Sequence, residues 1–385
     1  MPSELSTTSP IHPAADSRAH RFARSLLAQA GLGLDGERPW DMRLNHPDVP
    51  QRALAQGNLG LGEAYMAGDW DSDQLDEFFS RLLRSGVVDQ VSPTSLILHA
   101  LQARLCNLQT TQRAWAVGER HYDLGNDFYA AMLDPRMTYT CGYWKDADDL
   151  SAAQEAKLDL VCRKLDLRPG MRVLDIGCGW GSFMAFAAER YGVECVGVTI
   201  SREQCEWARE RYAGLPLEFR LQDYRDLDER FERIVSIGMF EHVGRKNHRT
   251  FMEVVSRCLD DDGLFLLHTI GKNQRRSVPD RWIDKYIFPN GDLPSIGQIG
   301  DAADGLLVVE DLHNFGADYD RTLMAWARNF EASWPRFAEE LGERFRRMWR
   351  YYLLSCAGAF RARDIQLWQW VLSRRGVAGG YQRVS

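Results

Sequence analysis

Beyond residue 118, short apolar runs alternate with stretches whose apolar residues recur at helical spacing. Five runs have the length and composition of buried strands: MRVLDIG, ECVGVTI, LEFRLQD, RIVSIG and GLFLLHTIG. The segments SFMAFAAERYG and REQCEWARERYAG have the pattern of helices. This alternation predicts an α/β fold with a doubly wound, mostly parallel, Rossmann-like sheet over residues 119–385. Aromatic-rich helices within 275–300 and 313–365 are expected as insertions that cover a site.

The first 112 residues follow a different pattern. Residues 18–31 and 92–108 have the spacing of amphipathic helices, and residues 61–83 indicate a turn followed by another helix. We therefore predict a flexible tail over residues 1–20 and a small, mainly helical domain over residues 21–112. This domain would be either a plain accessory domain or one used for dimerisation or lipid capture.

Composition narrows the classes of function. The chain has 385 residues, of which 45% are hydrophobic, and a net charge of −7. The lack of a basic excess disfavours nucleic-acid binding. The eight cysteines form no CxxC pair, which indicates reduced thiols in a cytosolic protein and neither a disulfide framework nor a metal site. No apolar run reaches the length of a membrane span, so we expect a cytoplasmic protein.

One segment has the pattern of a nucleotide-binding turn. In VLDIGCGWG an apolar strand contains Asp175, and Gly177, Gly179 and Gly181 follow before a helix. Glycine lets the backbone turn sharply and approach a ligand at the helix N-terminus. Such turns also use glycine for packing alone, but the full segment resembles the first motif of class I methyltransferases, which bind S-adenosylmethionine. We therefore assign these four residues to cofactor binding.

The ends of the next two strands refine the type of ligand. A dinucleotide site usually has an acidic residue about 20 positions after the glycines. Here the second strand ends at Thr199 without a carboxylate, which disfavours NAD. Thr199 and Gln204 suit the ribose and amino-acid end of S-adenosylmethionine, although Gln204 alone could equally be a solvated helix residue. Asp223 and Tyr224, after the third strand, suit an adenine pocket.

Two groups able to transfer protons follow the fourth and fifth strands. Glu241 lies in SIGMFEHVG and His268 in LLHTIG. Ligands bind beyond the carboxyl ends of parallel strands, so both side chains are expected on the cofactor side. The alternatives are a helix cap for Glu241 and a hydrogen-bonded core histidine for His268.

Residues 121–144 precede the sheet and are rich in aromatic side chains, including Tyr139, Tyr143 and Trp144. Aromatic faces attract cations, and the sulfonium of S-adenosylmethionine is a cation. The segment is therefore expected either to fold over the cofactor or to form a hydrophobic clasp between domains.

From about residue 121 to the C-terminus, the chain closely resembles bacterial cyclopropane-fatty-acyl-phospholipid synthases. The motifs that carry the resemblance are HYDLGNDFY, VLDIGCGWG, GVTIS, LQDYRDL, SIGMFEHVG, FLLHTIG, KYIFPNG, NFGADYDRTLMAW and CAGAFRARDIQLWQ. The resemblance implies methylene transfer from S-adenosylmethionine to a cis double bond in a phospholipid acyl chain, with bicarbonate as a second cofactor. It also implies a homodimer that visits the inner face of the membrane.

The resemblance further implies roles for individual residues. The bicarbonate site would comprise Cys141, Glu241, His268, Ile270 and Tyr319, with backbone amides from Cys141 and Ile270. Cys356 matches a cysteine linked to activity in the family, and the alternative is an inert packing thiol. Tyr139 and Thr140 match a pair that contacts the cofactor.

Substrate binding leaves alternatives open. Tyr286, Phe288 and Tyr319 are candidates to stabilise a carbocation. The arginines within residues 271–282 and 344–352 either attract phosphate headgroups or lie on solvated helix faces. The main rival activity is that of a related fatty-acid methyltransferase that makes a methyl or methylene branch.

Overall fold

Seven strands form one mixed sheet in the computed structural model, which describes residues 17–90, 124–275 and 279–384. The predicted helix at 92–108, the proposed boundary between the domains and most of the predicted tail lie outside the described residues. Two short strands, β1 (Arg43–Leu44) and β2 (Trp70–Asp71), pair separately. The main strands are β3 (Arg172–Ile176), β4 (Glu194–Thr199), β5 (Leu217–Leu221), β6 (Phe231–Ile237), β7 (Leu259–Lys272), β8 (Val308–Asn314) and β9 (Ile365–Ser373).

The order across the sheet is β5-β4-β3-β6-β7-β9-β8. The first five of these strands are parallel to one another, and β9 runs antiparallel to both β7 and β8. The predicted doubly wound, mostly parallel sheet is therefore confirmed. Its parallel strands end at one edge, where ligands bind in such folds.

Helices cover both faces of the sheet and form the N-terminal region. Those before the sheet are α1 (Arg18–Gln29), α2 (Val49–Gln56), α3 (Asn58–Met66), α4 (Leu75–Arg84), α5 (Asn126–Met132) and α6 (Leu150–Lys164). Between the parallel strands lie α7 (Ser182–Tyr191), α8 (Arg202–Arg211) and α9 (His248–Cys258). The inserted helices are α10 (Arg281–Tyr286), α11 (Ile296–Ala303), α12 (Ala317–Ser333) and α13 (Ala338–Arg361).

Two parts of the pattern were interpreted wrongly. Residues 61–66 begin the stretch predicted as a turn followed by a helix, but they continue helix α3. The glycine there serves packing, since a Cβ on Gly62 would lie 2.5 Å from the Trp282 ring. Strands β8 and β9 were not predicted. All nine residues of β9 are buried, so the run IQLWQWVLS lacks the polar alternation that identifies a half-buried strand.

The N-terminal helices pack closely against α13. A Cβ on Gly358 would lie 2.5 Å from the Asp76 carbonyl oxygen, so α4 and α13 are in backbone contact. Polar contacts reinforce this packing, since Asn58 donates to Asp280 at 2.9 Å and accepts from the Tyr351 hydroxyl at 2.5 Å. Arg361 also pairs with Asp76 at 2.7 Å. The N-terminal region therefore shares its core with the C-terminal half of the chain.

The described chain contains no helix that combines the length and the apolarity needed to cross a bilayer. The seven cysteines within the described residues all carry free thiols.

The contact between α4 and α13 predicts the effect of a larger residue at position 358. Gly358→Leu should lower the free energy of unfolding by about 2 kcal/mol, because the new side chain meets backbone atoms that cannot move independently. Chemical denaturation monitored by circular dichroism measures this loss. Gly300→Ala in α11 is the control, since its Cβ meets no atom within 4 Å and should cause no loss. Equal stability of Gly358→Leu and the unmodified protein would contradict the packing.

Candidate active site

The glycine turn between β3 and α7 has one glycine open to space. Gly177, Gly179 and Gly181 all have positive φ values, at 85°, 55° and 79°. A Cβ at Gly177 would meet Met239, and one at Gly181 would meet Phe219, so both positions are required for packing. A Cβ at Gly179 meets no atom within 4 Å, and Gly179 lines a cavity. A ligand can therefore approach the backbone closely at Gly179.

A buried acid and a buried amine lie beside this turn. Asp175 is buried, and its Oδ1 has no partner among the described residues. Burial raises the pKa of Asp175 to about 7, against the attraction of Lys157. Burial likewise lowers the pKa of Lys157 to about 8, and its Nζ donates to the Thr140 hydroxyl at 2.9 Å. Lys157 thus supports the segment that carries Tyr139 and Thr140.

Sequence reasoning missed Lys157. A signal was present: Lys157 and Lys164 lie seven positions apart in α6, on a helix whose neighbours Leu158 and Val161 are apolar and buried. Lysines within such a buried stripe are rare and usually have polar partners.

Aromatic side chains from residues 126–139 cover the glycine turn. Trp180 in the turn donates from Nε1 to the Asn126 side chain at 2.7 Å, and its ring lies 5.0 Å from that of Tyr129. The hydroxyls of Tyr139 and Tyr352 lie 3.0 Å apart. The predicted cover therefore forms around Tyr139.

The other two aromatics of that segment lie elsewhere. Trp144 donates from its backbone to Asp318 at 2.8 Å and from its ring to Thr322 at 2.9 Å. Tyr143 packs on Phe315 at 5.4 Å between ring centres. Asp318 and Thr322 belong to α12, so these contacts lie within the predicted catalytic domain rather than between the two predicted domains.

Of the four residues around the ends of β4 and β5 that were predicted to bind the cofactor, one lines the cavity and three do not. Gln204 lines the cavity. Thr199 is buried, and its hydroxyl accepts from the Ser201 amide at 3.1 Å. The Asp223 carboxylate binds the Arg225 guanidinium at 2.9 Å, and the Tyr224 ring packs on Phe251 at 5.3 Å. The structure thus brings Gln204 to the cavity and turns the other three into the protein body.

Glu241 follows β6 in a short 3₁₀ turn and has a half-satisfied carboxyl group. Its Oε1 accepts from the Ile270 amide at 2.7 Å, while its buried Oε2 has no partner among the described residues. Burial raises the pKa of Glu241 to about 7, and the Ile270 amide opposes this rise. The Ile270 N–H that was expected to face an anion is engaged with Glu241 itself.

His268 has one ring nitrogen in contact and one free. Its Nδ1 lies 3.2 Å from Nε2 of Gln369, and its buried Nε2 has no partner in the described part of the chain. Burial lowers the pKa of His268 well below its ordinary value, and the charges of Lys157 and Lys164 lower it further. The imidazole is therefore neutral near pH 7.

Tyr319 is the remaining tyrosine of the predicted bicarbonate site. Burial raises the pKa of its hydroxyl well above the usual value, and Cys141, Glu241, Tyr139 and Cys356 also raise it through their charges. Its ring stacks on Phe360 at 4.5 Å. Tyr319, Glu241 and Cys356 line the same cavity.

Both cysteines are poor nucleophiles. Cys141 is completely buried, and burial raises the pKa of its thiol well above the ordinary value. Burial raises the pKa of Cys356 to about 12. Since the thiolate is the reactive form, Cys356 contacts the cavity as a neutral thiol.

A cavity of about 930 Å³ is lined by Asp175, Gly179, Glu241, Tyr319 and Cys356, whereas His268 and Cys141 are not among its lining residues. Its polar part is bounded by Gly179, Glu241 and Tyr319, and it continues between the N-terminal helices. The walls of this apolar arm come from α1, α2, α4 and nearby loops: Ala23, Leu26, Leu27, Leu34, Met42, Val49, Ala53, Leu54, Phe78, Phe79, Leu82, Leu83 and Val87. A long apolar ligand can extend from the polar part into this arm.

The predicted headgroup arginines within 344–352 are largely occupied. Arg346 and Arg350 both pair with Glu331, at 2.6 and 2.7 Å. Arg347 pairs with Asp71 at 2.7 Å. These arginines bind the protein itself, which argues against a phosphate role for this cluster. Of the second cluster, residues 276–278 lie outside the described chain.

The three residues predicted to stabilise a carbocation lie in two different places. Phe288 and Tyr319 line the cavity. Tyr286 instead donates its hydroxyl to Glu63 at 2.9 Å, at the contact with the N-terminal helices.

A family model described as mycolic acid cyclopropane synthetase matches residues 109–370. The chain belongs to the mycolic acid cyclopropane synthetase family. A cyclopropane-fatty-acyl-phospholipid synthase of Escherichia coli (strain K12) is 56% identical over 366 residues, which are 95% of this chain and 96% of that protein. Membership makes the chain an S-adenosylmethionine-dependent methyltransferase.

Solved structures of family members have the same fold. The cyclopropane synthase MmaA2 from Mycobacterium tuberculosis is 32% identical, with a TM-score of 0.65, over 70% of this chain and 100% of that chain. The mycolic acid cyclopropane synthase CmaA1, complexed with SAH and CTAB, is 35% identical, with a TM-score of 0.63, over 68% of this chain and 98% of that chain. The predicted family and methyltransferase fold are confirmed.

The raised pKa of Glu241 predicts a pH-dependent effect on stability. The folded protein holds this proton more tightly than the unfolded chain does, so stability falls as pH rises from about 4.5 to about 7. Glu241→Gln removes the ionisation. Its stability relative to the unmodified protein should therefore increase across that range, by on the order of 3 kcal/mol.

Urea unfolding at a series of pH values measures this difference. Glu343→Gln is the control for removal of a carboxyl group, because its side chain is 63% exposed. A pH-independent difference for Glu241→Gln would show that the carboxyl group ionises normally.

Proposed function

We propose that the chain is a cyclopropane-fatty-acyl-phospholipid synthase. It transfers a methylene from S-adenosylmethionine to the cis double bond of an unsaturated acyl chain in a membrane phospholipid, with bicarbonate as the base. The observation that carries this proposal is the buried Oε2 of Glu241, which has no partner among the described residues, in a side chain that lines a cavity joining the glycine turn to an apolar arm. His268 Nε2 is likewise buried without a partner among the described residues. The 56% identity to the Escherichia coli synthase supports it.

The hydrogen-bonding groups of the predicted anion site fit bicarbonate. Bicarbonate is a small anion with one O–H donor and several acceptor oxygens. The carboxylate of Glu241 suits its O–H, while the Tyr319 hydroxyl and a protonated His268 Nε2 suit its oxygens. The charges of Lys157 and Lys164 reach His268, so the electrostatic potential there favours an anion. The Ile270 amide contributes by holding Glu241, and Cys141 lies beside Tyr319.

The cofactor set follows from the cavity wall. Tyr139, Thr140, Asp175, Gly177, Gly179 and Gln204 line the cavity and are proposed to contact S-adenosylmethionine. Gly181, Thr199, Asp223 and Tyr224 stay predictions as cofactor residues, since their present contacts support the turns beneath the cavity.

The reaction forms a bond between one alkene carbon and the methyl of the sulfonium, and the carbon–sulfur bond breaks. A carbocation remains on the acyl chain. Cavity walls without water would make this charge costly, and the aromatic faces of Phe288, Tyr139 and Tyr319 offset that cost. The new methyl then loses a proton, and its electron pair closes the ring on the cationic carbon.

Bicarbonate, when bound, supplies the oxygen that accepts this proton. Glu241 orients the anion through its free oxygen, and its pKa of about 7 allows it to take up a proton near neutral pH. Tyr319 and His268 remain neutral and act as hydrogen-bond donors. Cys356 contacts the acyl chain as a neutral thiol, which favours the packing alternative over nucleophilic chemistry.

The remaining partners are a bilayer that presents the substrate at the cytoplasmic face and a second copy of the chain. The apolar arm supports lipid capture as the role of the N-terminal domain, because its helices form that wall. The homodimer stays a prediction.

Expression in a bacterial host that lacks ring-containing lipids tests the activity. Cyclopropane proton signals should appear in the NMR spectrum of the extracted lipids. Tyr319→Phe should reduce the signal about 100-fold or more, since it removes one anion donor without changing the ring. Ser355→Ala, beside Cys356 on α13, is the folded control and should retain most of the activity.

Signals from methyl or exomethylene branches in place of cyclopropane protons would favour the rival methyltransferase. Full activity in buffer depleted of carbon dioxide, with no increase when bicarbonate is added, would contradict bicarbonate as the base.

The apolar arm predicts control of chain length. Leu27→Trp fills the arm from α1 and should lower kcat/KM for phospholipids with long acyl chains about 10-fold more than for short ones. The KM for S-adenosylmethionine should not change. Phe22→Trp is the control, because Phe22 lies on the same helix but is 48% exposed. Equal losses for short and long chains would place the acyl chain elsewhere.

A further inference from the structure

Three neighbouring strands carry polar side chains in one row across the sheet. His268 on β7 is paired in register with Gln369 on β9, and Gln369 is paired with His313 on β8. His268 and Gln369 are 1% and 0% exposed, so neither exchanges its partners with bulk water. The Gln369 amide is therefore a buried partner of the His268 ring.

In the described orientation of the Gln369 amide, its NH2 group faces the His268 ring. Nε2 of Gln369 carries hydrogens and lies 3.2 Å from Nδ1 of His268. Nδ1 must then accept, so it carries no proton. A neutral imidazole has one N–H, and the only remaining position for it is Nε2.

The opposite rotation of the amide would reverse the contact, with Nδ1–H of His268 donating to Oε1 of Gln369. In the described orientation the atom of Gln369 without a partner is its carbonyl Oε1. The opposite rotation would turn both amide hydrogens away from the imidazole.

The resulting protonation complements Glu241. Nε2 of His268 and Oε2 of Glu241 are both buried without partners among the described residues. With the proton on Nε2, one of these atoms donates and the other accepts. Bicarbonate needs both an acceptor for its O–H and a donor to its oxygens. The opposite tautomer would direct a lone pair of Nε2 at the anion.

We propose that Gln369 is a positioning residue that fixes the tautomer of His268, so that Nε2–H donates to the bound anion. This inference rests on the proposed function for the identity of the anion. Gln369 itself acts only through His268.

Histidine ¹⁵N NMR of the full-length protein tests the tautomer directly and requires no activity. In the unmodified protein, His268 should show a protonated Nε2 and an unprotonated Nδ1. The resonance is assigned by its loss in His268→Asn. Gln369→Glu replaces the donor with an acceptor, so Nδ1 should become protonated.

A matched control lies on the same strand. Gln366 is also buried, and its Oε1 accepts from Asn314 at 3.2 Å. Gln366→Glu should leave the ¹⁵N shifts of His268 unchanged.

The bicarbonate dependence of activity gives a second measurement. Gln369→Leu, which adds no charge, should raise the bicarbonate concentration for half-maximal activity about 10-fold, with the KM for S-adenosylmethionine unchanged. Gln366→Leu should change neither value.

A proton on Nδ1 of His268 in the unmodified protein overturns the inference, even if no variant folds. Unchanged His268 shifts in Gln369→Glu also overturn it. Failure of the proposed function is distinguishable, because the unmodified protein would then make no cyclopropane lipids whatever its tautomer.

Discussion

The packing of helix α13 against both halves of the protein is the contact on which the site depends. One face of this helix touches the backbone of α4 at Gly358, where no side chain fits. Its other face contributes Tyr352, Cys356 and Phe360 to the cavity wall. The same helix thus holds the N-terminal helices in place and forms part of the cavity wall. A displacement of the N-terminal helices would therefore also change the shape of the cavity.

Within that frame, the protein tolerates several buried polar atoms without partners, including Asp175 Oδ1, Glu241 Oε2 and His268 Nε2. Such atoms are costly in a core. Asp175 and Glu241 line one cavity, where a ligand would complete their hydrogen bonds. The buried amines of Lys157 and Lys164 belong to the same arrangement, because their charges offset those of the acids and of an incoming anion. Neutral His268 and Tyr319 then donate hydrogen bonds without adding charge.

Much of this arrangement was predictable from local pattern. The parallel strands and the glycine turn were identified because each has its own periodicity or composition. Glu241 and His268 were selected as candidates because residues at strand ends converge on one edge. Strand β9 was missed because burial on both faces removes the alternation of polar and apolar residues. Gln369 on that strand was missed too, because its proposed role depends on a cross-strand partner 101 positions away. Lys157 was missed because its partner Thr140 lies in a loop rather than on its helix.

The contacts of the N-terminal helices with the end of the chain have a consequence for biosynthesis. The hydrogen bond from Tyr351 to Asn58 spans 293 positions, and that from Arg361 to Glu77 spans 284. The N-terminal helices leave the ribosome long before α13 is made, so their apolar faces remain uncovered during most of translation. Such sequence separation slows folding and exposes aggregation-prone surface. Chains that terminate before α13 should therefore be captured by chaperones or degraded rather than accumulate as a folded N-terminal piece.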